Sequence, residues 1–252
     1  MQAYMFDLNG FIALPGLLTD EQVAELKADA KGVENNGPSA QENFGNSDGG
    51  VLHWNRTYRD VMAHPGVVPI LEELCGQRFR LDHVNVHTHV ADGYPGSSLH
   101  GGHSPGNGSG FFFARNGQMM NGLLAVTYEL EDTIVNGGGF CCIPGSHKSN
   151  VDLPFDRDLS KPLHSAVQPI PLAAGDCVIF TEALIHGTMP WTTPGKTRTT
   201  LFYKYNPNGC AWSADFFDPA DYAHYEDMTP ERLAMLEPPN ARYPGRPTLA
   251  SL

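Results

Sequence analysis

Between residues 79 and 90 the chain alternates with a period of two. Val84, Val86 and Val90 fall on one side of the run; His83, Asn85, His87 and His89 fall on the other. This spacing predicts a strand that packs by its aliphatic face, and strict alternation puts Phe79 and Leu81 with the histidines. A row of imidazoles is unusual on an open surface, so the polar face is expected to line a cavity. Apolar runs at 123–130, 140–143, 176–180 and 198–205 predict further strands. They are divided by turns at Asn136-Gly137-Gly138-Gly139, Pro144-Gly145-Ser146, Ala174-Gly175 and Pro194-Gly195. Nearer the start, 6–15 reads as a short strand. A helix follows to about Lys31, capped by Thr19 with Gln22 closing a capping box, and with Leu18 and Val23 at the staple positions. Residues 35–50 are polar and Gly-rich and read as a loop, 65–74 as a second helix stopped by Gly76, and the Pro-rich tail from 238 as extended. No repeat and no linker divides the chain, so residues 1–252 are expected to form one mainly β domain with flanking helices, a sandwich or barrel.

Composition agrees. The 27 Gly and 20 Pro residues suit many turns, and 41% hydrophobic content is enough for a core. A formal charge of −12 with no Lys/Arg cluster argues against nucleic-acid or anionic-lipid partners. No apolar run reaches membrane-spanning length, and residues 1–10 lack a signal-peptide pattern. Five cysteines without CxxC spacing (Cys75, Cys141, Cys142, Cys177 and Cys210) read as free thiols in a reducing compartment, hence an expected cytoplasmic location.

Phosphate-loop, dinucleotide, HExxH and GxSxG signatures are absent. Eleven histidines remain, two in distinctive settings. His100 lies in Leu99-His100-Gly101-Gly102. His186 ends the apolar stretch that begins at Gly175-Asp176 and continues as Gly187-Thr188, with Arg198 twelve residues further on. These pieces carry a resemblance when joined by two others: the opening Phe6-Asp7-Leu8-Asn9-Gly10-Phe11 with Leu17-Leu18-Thr19, and Gly138-Gly139-Phe140-Cys141-Cys142-Ile143-Pro144-Gly145-Ser146-His147. In that order they resemble the phytanoyl-CoA hydroxylase-like branch of the Fe(II)/2-oxoglutarate oxygenases, over nearly the whole chain up to Asn206. The resemblance implies a double-stranded β-helix (a jelly roll, cupin-like) and an oxidoreductase using Fe(II), 2-oxoglutarate and O₂ on a small molecule. It implies His100 and His186 as iron ligands, Arg198 as the cation for the far carboxylate of 2-oxoglutarate, and Thr188 as a hydroxyl beside it. A planar guanidinium fork suits a carboxylate, and Thr200 alternates with Arg198 to support it.

One position departs from the pattern. The hydroxylases carry a ligating Asp two residues after the first histidine, and here that residue is Gly102. Three readings follow. Gly102 leaves an open position for chloride, as in the related halogenases; or Glu182, a lone charge in an apolar stretch, supplies the carboxylate; or the fold is a non-catalytic, cupin-like metal- or ligand-binding module. The intact Thr188 and Arg198 speak against the last. On a regular strand Glu182 would sit roughly 13 Å from His186, which favours the open position of the other two. The segment 101–121, with Phe111-Phe112-Phe113 and Met119-Met120 among Gly, Ser and Asn, reads as an active-site lid. His83, Asn85, His87 and His103 are the candidate contacts to a small polar substrate.

Overall fold

A computed structural model describes residues 1–30, 39–42, 50–90, 96–102, 110–134, 137–193 and 195–240. The chain opens with helix α1 (Gln2–Asn9), then strand β1 (Phe11–Leu14), helix α2 (Asp20–Ala30) and strand β2 (Ser39–Glu42). Helices α3 (Val51–Trp54), α4 (Arg56–Met62) and α5 (Val68–Cys75) precede β3 (Arg80–Val90). Next come a hairpin of β4 (Phe112–Arg115) and β5 (Gln118–Asn121), then β6 (Leu124–Glu129) and β7 (Gly139–Cys142). β8 (Gln168–Pro169), β9 (Cys177–Thr181), β10 (His186–Met189) and β11 (Thr197–Asn206) complete the sheets, and α6 (Pro219–Tyr222) and α7 (Pro230–Met235) follow. Among the described residues, a six-stranded sheet ordered β1-β9-β6-β11-β3-β2 faces a three-stranded sheet ordered β10-β7-β8. Every pairing is antiparallel.

Three apolar layers hold this together. Outside the large sheet, Val84, Val86, Val126, Tyr128, Ile179, Leu201 and Tyr203 pack on Leu26, Val61, Leu71 and Met235 of the helices. Between the sheets lie Ala125, Val178, Phe180, Phe140 and Cys142. Beyond the small sheet, Cys141 and Met189 pack on Leu99, Leu159 and Ile185. The alternation of each strand decides which layer a side chain enters. The helix layer is also fastened by hydrogen bonds. The hydroxyls of Tyr128, Tyr203 and Tyr205 donate to the carbonyls of Val61, Tyr58 and Met62 at 2.8, 2.8 and 2.6 Å. These are carbonyls of α4, and its last ones have no partner within the helix.

The strands at 123–130, 140–143, 176–180 and 198–205 are present within a residue or two. The capping box is also formed: Thr19 N–H donates to Gln22 Oε1 at 3.0 Å, and Gln22 N–H to Thr19 Oγ1 at 3.2 Å. Five expectations need correction. Residues 6–9 belong to α1, which ends where Gly10 N–H reaches Phe6 O, so the first strand is only Phe11–Leu14. The expected loop 35–50 contains β2, held by pairing to β3 rather than by any local preference. The second helix starts later than residue 65, with its proline in the first turn. Within 101–121, the part from residue 112 is the β4–β5 hairpin, not an irregular loop; residues 103–109 lie outside the described residues. Phe79 and Leu81 join the aliphatic core because the β3–β11 ladder slips between Lys204 and Tyr205, leaving Asp82 as the extra residue. All five cysteines are free, as expected. No helix among the described residues is long and apolar enough to cross a membrane.

Tyr128→Phe should remove the shorter hydrogen bond to Val61 O, which keeps the N–H of His64 at 3.4 Å, and cost about 0.5–1.5 kcal/mol. Urea unfolding of the variant against the parent checks this.

Candidate active site

The inner face of the large sheet is polar at its centre. Register places His89 opposite Arg198, His87 opposite Thr200, Asn85 opposite Phe202 and His83 opposite Lys204. On the other side of β11, Thr200 pairs with Glu129. Most of these side chains are buried, so the polar face of β3 turns into the barrel, as its histidines suggested.

His100 and His186 meet where the chain crosses between sheets. Their backbones exchange N–H···O bonds of 2.8 and 2.9 Å, and their rings stand 4.2 Å apart between centroids. Gly101 permits this approach, since a Cβ there would lie 2.2 Å from Leu184 O. Each imidazole spends its Nδ1 proton on a backbone carbonyl at 2.8 Å, His100 on Ser98 O and His186 on Leu184 O. In the neutral ring this selects the tautomer with Nε2 free of its proton, the arrangement that prepares an imidazole for a metal. Burial, with His100 and Lys204 acting in the same sense against the pull of Glu182, drives His186 down to about 3. The ring is therefore neutral near neutrality.

Glu182 does not lie on a regular strand. β9 ends at Thr181, and a turn carries the chain to His186. The turn is held by Leu184 N–H on Thr181 O and by Glu182 N–H on Leu123 O. The separation estimated for a straight strand collapses: Glu182 Oε2 lies 3.8 Å from His186 Nε2. The other oxygen, Oε1, is ion-paired with Lys204. Burial alone would raise the Glu182 carboxyl, but Lys204, His186 and His100 together hold it at about 2. Among the described residues no three His, Cys, Asp or Glu side chains stand gathered as a closed metal site; Lys204 occupies one edge of the carboxylate that would complete it. Gly102 has φ +84°, and a Cβ there would meet Ile185 Cγ1 at 3.3 Å, a residue of the layer outside the small sheet.

Arg198 is buried on the inner face and already engaged. Its Nε donates to Glu129 Oε2 at 3.1 Å, and Nη2 donates to Oε1. Thr200 Oγ1 also reaches Glu129, at 3.0 and 3.1 Å. Nη1 stays buried with no hydrogen-bond partner, as do His87 Nε2 and Asn85 Oδ1 on the same inner face. Orphaned polar atoms in an otherwise satisfied interior mark a place where a polar ligand fits. Thr188 shares the inner face of β10 with His186, two residues away. His83 Nδ1 donates to Asp82 at 2.7 Å. The buried Asp82 also accepts from Arg80, Asn206 and the N–H groups of Trp212 and Ser213. Beside the histidines lies a cavity of about 370 Å³ lined by His100, Gly102, Ser149, Asp152 and Arg157 among others.

Of the expected residues, His100, His186 and Glu182 come together, and Arg198, Thr200 and His87 share the inner face. His103 lies outside the described residues. The sequence reading missed Glu129, Lys204 and Asp82. Lys204 was detectable by the test that singled out Glu182, a lone charge in an apolar run.

The family model for phytanoyl-CoA dioxygenase (PhyH) matches residues 6–200. The chain belongs to the phytanoyl-CoA dioxygenase family. It is accordingly an oxidoreductase of the iron- and 2-oxoglutarate-dependent class that its motifs resemble. Its fold is shared with HygX from Streptomyces hygroscopicus, solved with nickel and 2-oxoglutarate bound: TM-score 0.72, 20% identity, 84% of this chain and 89% of that one covered. It is also shared with the α-ketoglutarate-dependent epimerase SnoN from nogalamycin biosynthesis, at TM-score 0.59, 23% identity and 82% of each chain covered. The carbocyclase SnoK of the same biosynthesis matches at TM-score 0.61 and 16% identity, over 89% of this chain and 90% of that one. No curated protein matches the chain in sequence. These likenesses bear out the double-stranded β-helix.

The buried imidazoles have a consequence for stability. Burial, with Lys204 and Arg198 adding, drives His87 down to about 3; burial, with Arg198 and His87 adding, drives His89 down to about 2. An unfolded histidine titrates near 6.5. The unfolded chain therefore takes up protons first, and the stability present above about 6.5 is lost as pH falls toward about 3. Asp82 and Glu182 are depressed carboxyls whose contribution persists until pH falls below about 4. The melting temperature of the metal-free protein should thus decline from about pH 6.5 downward, ahead of carboxylate titration. His87→Asn should flatten that decline in thermal melts.

Proposed function

We propose that this protein is a non-haem Fe(II)/2-oxoglutarate oxygenase that oxidises a C–H bond of a small polar molecule, with His100, His186 and Glu182 holding the iron. The observation that carries the reading is the Glu182 carboxylate 3.8 Å from His186 Nε2, beside two imidazoles whose Nδ1 protons are already committed. Two imidazoles and a carboxylate are the donor set that suits iron(II) in oxygenases. Iron(II) with 2-oxoglutarate and O₂ supplies the two-electron oxidation, 2-oxoglutarate leaving as succinate and CO₂.

The chain's own residues do the rest. Arg198, through its unpartnered Nη1, receives the far carboxylate of 2-oxoglutarate, with Thr200 bracing the guanidinium's partner and Thr188 lining the bed. His87 Nε2 and Asn85 Oδ1 offer further polar contacts along the same face. Phe140, Phe180 and Phe202 wall the interior and keep water from the oxidising centre. Lys204 holds Glu182 on the side toward His186. The β4–β5 hairpin serves as the lid; Phe112 packs edge-on against His147 at 4.5 Å. The polar cavity beside His100, with Asp152 and Arg157 in its wall, suits a substrate rich in hydrogen-bonding groups. HygX has also been solved with hygromycin B bound, which supports a small-molecule substrate here. The halogenase reading needs a halide beside Gly102. The direction of a Cβ at that residue, toward Ile185, lends it no support.

The test is anaerobic addition of Fe(II) and 2-oxoglutarate, read by the visible charge-transfer band. The parent should show it. His186→Ala and Glu182→Ala should lose iron, and chloride should leave the parent band unchanged. Iron retained by Glu182→Ala together with a chloride-sensitive band would instead establish the open position at Gly102. Arg198→Ala should weaken 2-oxoglutarate binding by on the order of 2–5 kcal/mol, since the cosubstrate loses its cation and meets an uncompensated Glu129. Unchanged affinity would remove Arg198 from the cosubstrate site.

A further inference from the structure

Arg198 has five N–H groups to give, and the structure has committed one of its two forked edges to a carboxylate of the chain itself. A carboxylate binds a guanidinium best in the plane of the fork, through two parallel N–H···O bonds. Here Glu129 holds the Nε–Nη2 edge, Thr200 Oγ1 pins Glu129 from below, and both members of the pair are about 1% exposed. What remains for a ligand is the opposite edge, where Nη1 is buried and without a hydrogen-bond partner. The groups facing it from β3 are His89 and His87, both held neutral by burial, so they add no positive charge.

We propose that Glu129 is the residue that sets 2-oxo acid selectivity in this site: by occupying one bidentate edge of Arg198 and cancelling its charge, it leaves the cosubstrate's tail a guanidinium that is already neutralised. A second carboxylate arriving at Nη1 gains the attraction of the guanidinium but meets Glu129 across the same planar group, in a water-poor interior where charges act strongly. A 2-oxo acid with an uncharged tail forgoes the attraction and avoids the repulsion. The pocket therefore distinguishes 2-oxoglutarate from a straight-chain monocarboxylate of similar length only weakly. This rests on the reading of Arg198 as the cosubstrate's cation.

The experiment is anaerobic calorimetric titration of the Fe(II)-loaded full chain with 2-oxoglutarate and, separately, with 2-oxopentanoate. The parent should bind both, with a preference for 2-oxoglutarate of about tenfold or less. Glu129→Gln keeps the shape and one acceptor oxygen but removes the charge, and should raise that preference at least tenfold, chiefly by tightening 2-oxoglutarate. A merely structural brace would do the reverse, weakening 2-oxoglutarate when altered. A parent preference above about a hundredfold overturns the proposal without any variant, as does Glu129→Gln with an unchanged or lower ratio. In those cases Arg198→Ala still separates the two readings: lost 2-oxoglutarate binding keeps Arg198 as the cation and removes only the role of Glu129. A parent that binds neither acid in the presence of Fe(II) removes both.

Discussion

Charge inside the barrel has to be paired, and the interior is arranged around that constraint. β11 carries Arg198 and Lys204 on the same buried face as Thr200 and Phe202. A lone ion there would lose several kcal/mol of hydration. Each cation is met by a carboxylate from a neighbouring part of the large sheet: Arg198 by Glu129 from β6, Lys204 by Glu182 just past β9. A third pair, Arg80 with Asp82, closes the end of β3. The pairs also lock register, because slipping β11 by one residue would turn both cations into the helix-facing core and leave both carboxylates alone. Buried among these pairs, the imidazoles of His87, His89 and His186 stay neutral, which is the state in which they can accept a metal or donate to a ligand.

The meeting of His100, His186 and Glu182 follows from backbone economy at one crossing. The chain leaves the large sheet at Thr181 and enters the small one at His186, so the intervening turn belongs to both. Glu182 is tied back to β6 through Leu123 O, and Ile185 N–H is held by Ser146 Oγ at 2.8 Å. The segment ending at His100 then pairs with His186 itself. The small sheet's neighbouring turn is anchored in turn, since His147 donates to Asp7 O at 3.1 Å and so binds the N-terminal helix to the same rim. Side chains far apart in sequence are thus positioned by elements that are rigid for reasons of hydrogen bonding, before any ligand is considered.

Much of this was readable from the sequence. Two-residue alternation marks the faces of β3 and β11, and Gly/Pro turns mark where strands stop, because both are local consequences of backbone geometry. His100, His186 and Arg198 were found by resemblance, and Glu182 by the oddness of a charge among apolar neighbours. The missing pieces are non-local. β2 exists because β3 offers it an edge. The displacement of Leu81 into the aliphatic core comes from a bulge set by pairing with β11. The proximity of Glu182 to His186 depends on a turn whose sequence, Glu182-Ala183-Leu184-Ile185, carries no glycine, proline or asparagine to announce it. Glu129 escaped because its meaning lies in the residue across the ladder, a strand that follows it by some seventy positions.

The same pairwise neutrality bears on how metal and cosubstrate relate in the proposed site. His186, held neutral by burial, and Glu182 with its Lys204 partner sum to no net charge, and so do Arg198 and Glu129. A dication entering such a cluster is attracted by one carboxylate that a lysine already claims, so much of its charge is left uncompensated in a poorly hydrated interior. 2-Oxoglutarate brings two negative charges. Its approach to Arg198 alone is opposed by Glu129, while its approach to a site holding a dication is not. Each therefore lessens the electrostatic cost of the other, and by linkage the gain is the same in both directions. The protein contributes little net charge to either ligand; what it contributes is a pair of oriented imidazoles, one carboxylate and a partly spent guanidinium, spaced so that the two ligands neutralise one another.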